Sequence, residues 1–140
     1  VIERKRGLID WGEVELGRNT DKEFTDRLNQ QIRRCSPAAI AIENLSHTLR
    51  GTKARRRVQV ALVLSLRLGL AARALSTLEV RAAINLNAGT SKHELAERLC
   101  DICPELVWQM PRRAIWMKDP RMNVFQAVAL AVAATRLGPK

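Results

Sequence analysis

The spacing of apolar residues changes character several times along the chain, and each change marks an element. Positions 1–6 and 8–16 read as two strands joined by a tight turn at Arg6-Gly7, with Leu8, Asp10, Gly12, Val14 and Leu16 at alternate positions. A helix follows. Asn19 or Thr20 can cap it, Asp21 and Glu23 suit its first turn, Phe24, Leu28 and Ile32 recur at i, i+4 and i+8, and Pro37 closes it. Positions 38–43 form a short continuous apolar run ending in Glu43, the pattern of a buried central strand with a functional side chain at its C-terminal edge.

The leucine- and alanine-rich stretch 54–75 predicts one long helix, and 77–82 a short strand. Positions 85–90 read as a loop containing Gly89. Ser91 and Glu94 have the spacing of a capping box, which opens a helix running to Ile102 and ending near Pro104. Positions 105–120, with Pro111, Pro120, Trp108 and Trp116, read as an irregular excursion. A final helix over 121–137 is apolar on most faces and stops at Gly138-Pro139. The expected order is β-β-α-β-α-β-α-α, an α/β layered fold with a mixed sheet.

The length of 140 residues and a hydrophobic content of 46% fit a single domain spanning 1–140. The most apolar region, 58–75, is broken by Arg67 and Arg73, and no run of eighteen apolar residues predicts a membrane span. Charge narrows the partner. There are 24 Lys and Arg against 14 Asp and Glu, a net +10, with basic residues clustered at Arg50, Lys53, Arg55, Arg56 and Arg57. A clustered excess of this kind points to a polyanion, because each neutralised phosphate releases counterions. Three cysteines, an odd number, argue against a disulfide framework. Cys100 and Cys103 form one C-x-x-C without two further ligands nearby, so buried thiols in a reducing compartment are the expectation. No signal or transit peptide is visible, and the chain opens in what reads as mid-strand.

The order of elements, taken with three local motifs, resembles the RuvC family of Holliday junction resolvases in the ribonuclease H-like superfamily. Ala39-Ile40-Ala41-Ile42-Glu43-Asn44 is similar to that family's apolar strand ending in a catalytic Glu. Gly89-Thr90-Ser91-Lys92 resembles the loop-to-helix entry that brings a Lys to the active site, and Val124-Phe125-Gln126-Ala127-Val128-Ala129-Leu130-Ala131 resembles the final helix. The resemblance implies a ribonuclease H-like mixed sheet flanked by helices. It also implies phosphodiester hydrolysis with Mg2+ or Mn2+, Glu43 and Lys92 as catalytic residues, and Arg50, Lys53, Arg55, Arg56, Arg57, Arg112 and Arg113 on nucleic acid.

Two departures from the family pattern matter. The family's first strand carries an Asp and lies at the centre of the sheet, whereas this chain matches from the second strand onward. An upstream segment or a partner chain is therefore expected beside Ile40, Ala41 and Ile42, unless 1–6 pairs directly with 39–43 and Glu3 takes the Asp's place. The positions that match the last acidic residues are Asn123 and Gln126, amide isosteres of Asp and Glu.

Two divalent ions about 4 Å apart need a cluster of anionic oxygens. Glu43 and Asp119 are the candidate metal ligands that remain, and Asp119 before Pro120 reads first as a helix cap. His93 and Glu97 at i and i+4 read as an exposed pair supporting their helix. Two functions are open: a metal-dependent, structure-selective endonuclease, or a nuclease-derived module that has lost cleavage and grips branched DNA or structured RNA, alone, as a homodimer or in a larger complex. The expected compartment is a bacterial cytoplasm or an organelle matrix.

Overall fold

The structure is a computed structural model, and it describes residues 1–3, 7–8, 20–46, 51–110 and 121–138. The chain divides into two compact units. The first comprises Val1–Glu13 with Thr77–Lys140, and the second comprises Val14–Ser76.

The second unit is a β-α-β layer with a helix on it. Helix α1, Thr20–Cys35, has Asp21 and Glu23 in its first turn and Arg33 and Arg34 in its last, the arrangement its dipole favours. Ile32 is buried, Ser36 follows with φ 44°, and Pro37 prevents continuation. Strand β1, Ala39–Glu43, pairs in parallel with β2, Ala71–Leu75, in the register Ala39↔Ala71 to Glu43↔Leu75. Helix α2, Thr52–Arg67, joins them and packs on both strands and on α1. Ala61 and Ser65 are its buried residues, and the Ser65 hydroxyl donates to the Ala61 carbonyl at 2.6 Å. The expected buried central strand at 39–43 is half-buried instead: among the described residues β2 is its one strand neighbour.

Two sequence-based expectations fail at the end of α2. The predicted helix over 54–75 stops at Arg67, and 71–75 is a strand. Gly69 takes a left-handed φ of +66°, while the Leu70 N–H donates to the Ser65 carbonyl at 2.9 Å. This is a Schellman stop, which glycine permits at no steric cost. The sequence Ala71-Ala72-Arg73-Ala74-Leu75 favours helix by propensity, and pairing with β1 overrides it. The predicted strand over 77–82 is helix α3, Thr77–Ala83. Ser76 and Glu79 have the S-x-x-E spacing of a helix start.

The first unit is mostly helical. Ile2–Glu3 and Gly7–Leu8, here β3 and β4, pair antiparallel as Ile2↔Leu8 and Glu3↔Gly7. Gly7 thus lies in a strand rather than in the predicted Arg6-Gly7 turn, and the rest of the 8–16 strand lies outside the described residues. Helix α4, Lys92–Ile102, carries the expected capping box. The Glu94 N–H donates to the Ser91 hydroxyl at 3.2 Å, and the Ser91 N–H donates to the Glu94 carboxylate at 2.7 Å. A 3-10 helix, Pro104–Gln109, occupies part of the expected irregular excursion. Helix α5, Arg121–Leu137, is the centre of the unit: Phe125 and Ala133 are fully buried, and α3, α4 and Ile2–Glu3 pack on it. No described helix is long and apolar enough to cross a membrane.

Candidate nucleic-acid interface

Glu43 closes β1, half-buried, at the strand's C-terminal edge. Just beyond it the Asn44 N–H donates to the Leu75 carbonyl at 2.8 Å, carrying the pairing one residue further. The Asn44 side-chain carbonyl then accepts the Ser46 N–H at 3.0 Å and the Ser46 hydroxyl at 2.6 Å, an Asx turn directly after the strand. Leu45 is buried and anchors that turn.

A strand that ends at this edge and returns as a helix packed on the same sheet starts the helix at the same edge. Glu43 and the N-terminal turns of α2 therefore share one side of the second unit. Those turns carry Lys53, Arg55, Arg56 and Arg57 and no acidic residue, with Gly51 at the N-cap and no side-chain cap. The positive end of a helix dipole disfavours cations by about 0.3–1 kcal/mol each, so the arrangement is locally unfavourable for folding. Lys53, Arg55 and Arg56 are exposed, and Arg57 is half-buried. Arg56 Nε lies 2.5 Å from Asp21 Oδ2 of α1, with both side chains substantially exposed.

Most of the excess charge of the chain lies in the second unit. Positions 14–76 hold 12 of the 24 Lys and Arg and 5 of the 14 Asp and Glu, hence +7 of the net +10. A groove between α1 and α2 continues from Arg56, floored by Thr25, Val60, Val63 and Leu64, to Arg67. Sequence reading had not singled out Arg67; its spacing of eleven from Arg56, three helical turns, was the available signal.

The remaining candidates belong to the first unit or lie outside the described residues. Lys92 is exposed at the first position of α4. Asn123 and Gln126, three apart on α5, lie on the side away from its buried stripe, exposed and half-buried respectively. Arg50, Arg112, Arg113 and Asp119 lie outside the described residues. His93 Nε2 and Glu97 Oε1 are 3.2 Å apart, the i and i+4 pair that the spacing predicts. Cys35, Cys100 and Cys103 are free thiols. Burial pushes the Cys103 thiol above its ordinary pKa and the Glu105 carboxylate adds to the rise, while Arg136 opposes it. Cys100 is raised as well, first by burial and then by Asp101. Such thiols stay protonated at neutral pH and are poor nucleophiles. Among the described residues no three His, Cys, Asp or Glu side chains gather into a metal-binding group.

Comparison with solved structures places this architecture. The chain is similar to Thermus thermophilus RuvC in complex with a Holliday junction substrate, with a TM-score of 0.63 and 17% identity over 88% of this chain and 73% of that one. It is similar also to a second structure of Thermus thermophilus RuvC, with a TM-score of 0.65 and 18% identity over 94% and 75% of the two chains. The fold is RuvC-like. It is a ribonuclease H-like α/β arrangement in which a partial sheet is flanked by helices. No protein-family profile and no curated protein matches the sequence.

Proposed function

We propose that this chain is a nucleic-acid-binding domain of the Holliday-junction-resolvase type, which grips branched DNA through the N-terminal turns of α2 and does not cleave it. The observation that carries this reading is the run of four cations at the dipole-disfavoured end of α2, beside Glu43 and on a RuvC-like fold. The Arg56–Asp21 pair accounts for one of these cations on folding grounds, whereas a bound phosphate would make the placement of the whole group at this helix end favourable.

The donor set argues for binding without cutting. Magnesium or manganese would require several anionic oxygens in one place. The positions that match the family's last acidic residues offer only the neutral carbonyl oxygens of Asn123 and Gln126. The described residues do not fit a pair of divalent ions, and no cleavage step is assigned to them.

The second edge of β1 belongs to the same reading. Ala39–Glu43 has one strand neighbour among the described residues, and this chain spans about three quarters of the RuvC chains it matches. A strand from an upstream segment or from a partner chain is proposed to pair with Ile40, Ala41 and Ile42. Such a strand would satisfy amides that each cost about 1–3 kcal/mol if buried unpaired.

The test is binding and cleavage of a four-way junction, a plain duplex and a hairpin RNA of equal charge, with Mg2+ or Mn2+ present. Preferential binding of the junction without products is expected. Tighter binding of the RNA would move the partner to structured RNA, and metal-dependent cleavage abolished by Glu43→Gln would refute the non-cleaving reading.

A further inference from the structure

Arginines from three helices serve the C-terminal end of α3 and the loop that follows it. The helix closes on Asn85, whose φ of 60° is left-handed, with the Leu86 N–H donating to the Arg81 carbonyl at 2.8 Å and the Asn85 N–H to the Ala82 carbonyl at 3.1 Å. This Schellman closure satisfies the carbonyls of residues 81 and 82 and leaves those of 83 and 84 without main-chain donors. Side chains supply them. Arg136 Nη1, from the last turn of α5, donates to the Ala83 carbonyl at 3.1 Å, and Arg98 Nε, from α4, donates to the Ile84 carbonyl at 3.2 Å. Arg81 itself donates through Nη1 to the Ala88 carbonyl in the following loop.

The charge exceeds what capping needs. A helix C-terminus carries about half an elementary negative charge, which one cation balances. Consecutive carbonyls hold the Arg98 and Arg136 guanidinium groups within about 10 Å of each other. Positions 80–93 and 121–138 contain no Asp or Glu, and the one acid of α3, Glu79, lies in its first turn, at the opposite end of the helix. Asp101, 3.9 Å from Arg98 Nη1, and Glu105 belong to the α4 side and offset part of the charge. A guanidinium has five N–H donors, and a single carbonyl occupies few of them. Arg136 is exposed and the Arg98 side chain is 36% exposed, so donors remain within reach of a ligand at the surface.

We propose that Arg98 and Arg136 form an anion site at the end of α3 that takes a phosphodiester group of bound nucleic acid. It is a contact of the first unit, additional to the α2 cluster of the second. It leads through the 84–91 loop to Lys92, and it rests on the nucleic-acid-binding reading above.

Junction affinity between 50 and 200 mM salt tests it, with three proteins compared: the unaltered chain, Arg98→Gln/Arg136→Gln and Arg98→Lys/Arg136→Lys. Glutamine keeps an N–H for each carbonyl and removes the charge, whereas lysine keeps the charge. The Gln pair is expected to lower the slope of log affinity against log salt by up to about 1.8, at roughly 0.9 per lost phosphate contact, and the Lys pair to retain it. An unchanged slope in the Gln pair, with or without a lower melting temperature, would overturn the proposal and leave the arginines as helix caps. If the Gln pair does not fold, the exposed single substitution Arg136→Gln gives the same readout at half the size. An unaltered chain with no affinity for nucleic acid removes the functional reading and this contact together. Retained binding whose slope responds only to changes in Arg55, Arg56 and Arg57 removes this contact alone.

Discussion

Replacing Arg55, Arg56 and Arg57 with glutamine separates what the start of α2 contributes to folding from what it contributes to binding. On the folding side the terms nearly cancel. Arg56 loses its ion pair with Asp21, but the two side chains are 71% and 41% exposed, and an exposed pair is worth about 0.2–1 kcal/mol. Against that, removing three cations from the positive end of the helix dipole relieves about 0.3–1 kcal/mol each at low salt, less for those beyond the first turn. The helix keeps its Gly51 N-cap and its buried Ala61 and Ser65. The triple variant is therefore expected to melt at or slightly above the temperature of the unaltered chain.

On the binding side nothing cancels. Two or three lost phosphate contacts lower the salt slope on duplex DNA by about 1.8–2.7, and between 50 and 200 mM salt this changes the relative affinity roughly 10- to 40-fold. Fluorescence anisotropy at four salt concentrations, beside thermal melts of both proteins, measures the two quantities independently. A variant with an unchanged slope would refute the assignment, because phosphate contacts cannot be lost without losing counterion release. A large drop in melting temperature would refute it differently, by showing that the cations serve the fold.

Other expectations follow from local geometry. Ser91→Ala removes the hydroxyl that accepts the Glu94 N–H and should destabilise the chain by about 1 kcal/mol, read from chemical denaturation. Hydrogen bonds from Ser91, first its backbone N–H and then its side chain, hold the Glu94 carboxyl below its ordinary value of 4.5, so the stability they bring is present above that pH and lost as pH falls through the lowered value; an acid titration of Glu94→Gln should lack this step, whereas Ser91→Ala, which keeps the backbone N–H, should retain part of it. Burial holds the thiols of Cys100 and Cys103 above their ordinary value of 9.0, so stability is full below that pH and declines as pH rises through the raised values. Cys100→Ala/Cys103→Ala should flatten that alkaline decline, and an unchanged one would place its source elsewhere. Gly69→Ala should cost about 1 kcal/mol through backbone strain alone, because φ there is +66° and a Cβ would meet nothing within 4 Å; a neutral result would mean that α2 can close without the left-handed turn.

Elements bounded by side-chain chemistry were legible in the sequence. The Ser91/Glu94 box fixed the start of α4, Pro37 the end of α1, and Gly138 the end of α5. The errors cluster at 68–82, where composition and tertiary context disagree. Ala71–Leu75 has the alanine content of a helix and becomes a strand because β1 lies beside it, a pairing that no local window contains. The helix at 77–83 carries its own local signal, the S-x-x-E spacing from Ser76 to Glu79, which outweighs the strand pattern over 77–82. Gly69 was the decisive residue, and the apolar run around it hid its meaning as a stop.

The site was legible to the extent that it violates local rules. Helix α2 begins with four cations and no acid or side-chain cap, a poor start by every intrinsic measure, while α1 in the same unit obeys the dipole at both ends. A reversal of charge in one helix, next to a helix that obeys the dipole at both ends, is what the proposed phosphate contact would account for, and it lies on the same edge of the unit as Glu43. The arginines at the end of α3 were illegible for the opposite reason. Arg81, Arg98 and Arg136 each sit acceptably on their own helices, seventeen and thirty-eight residues apart, and only the folded unit, with α3 and α4 both packed on α5, brings Arg98 and Arg136 to consecutive carbonyls and Arg81 to the loop that follows. Charge that conflicts with its local element can be found from sequence, whereas charge that agrees with three separate elements shows as a cluster only after they have folded.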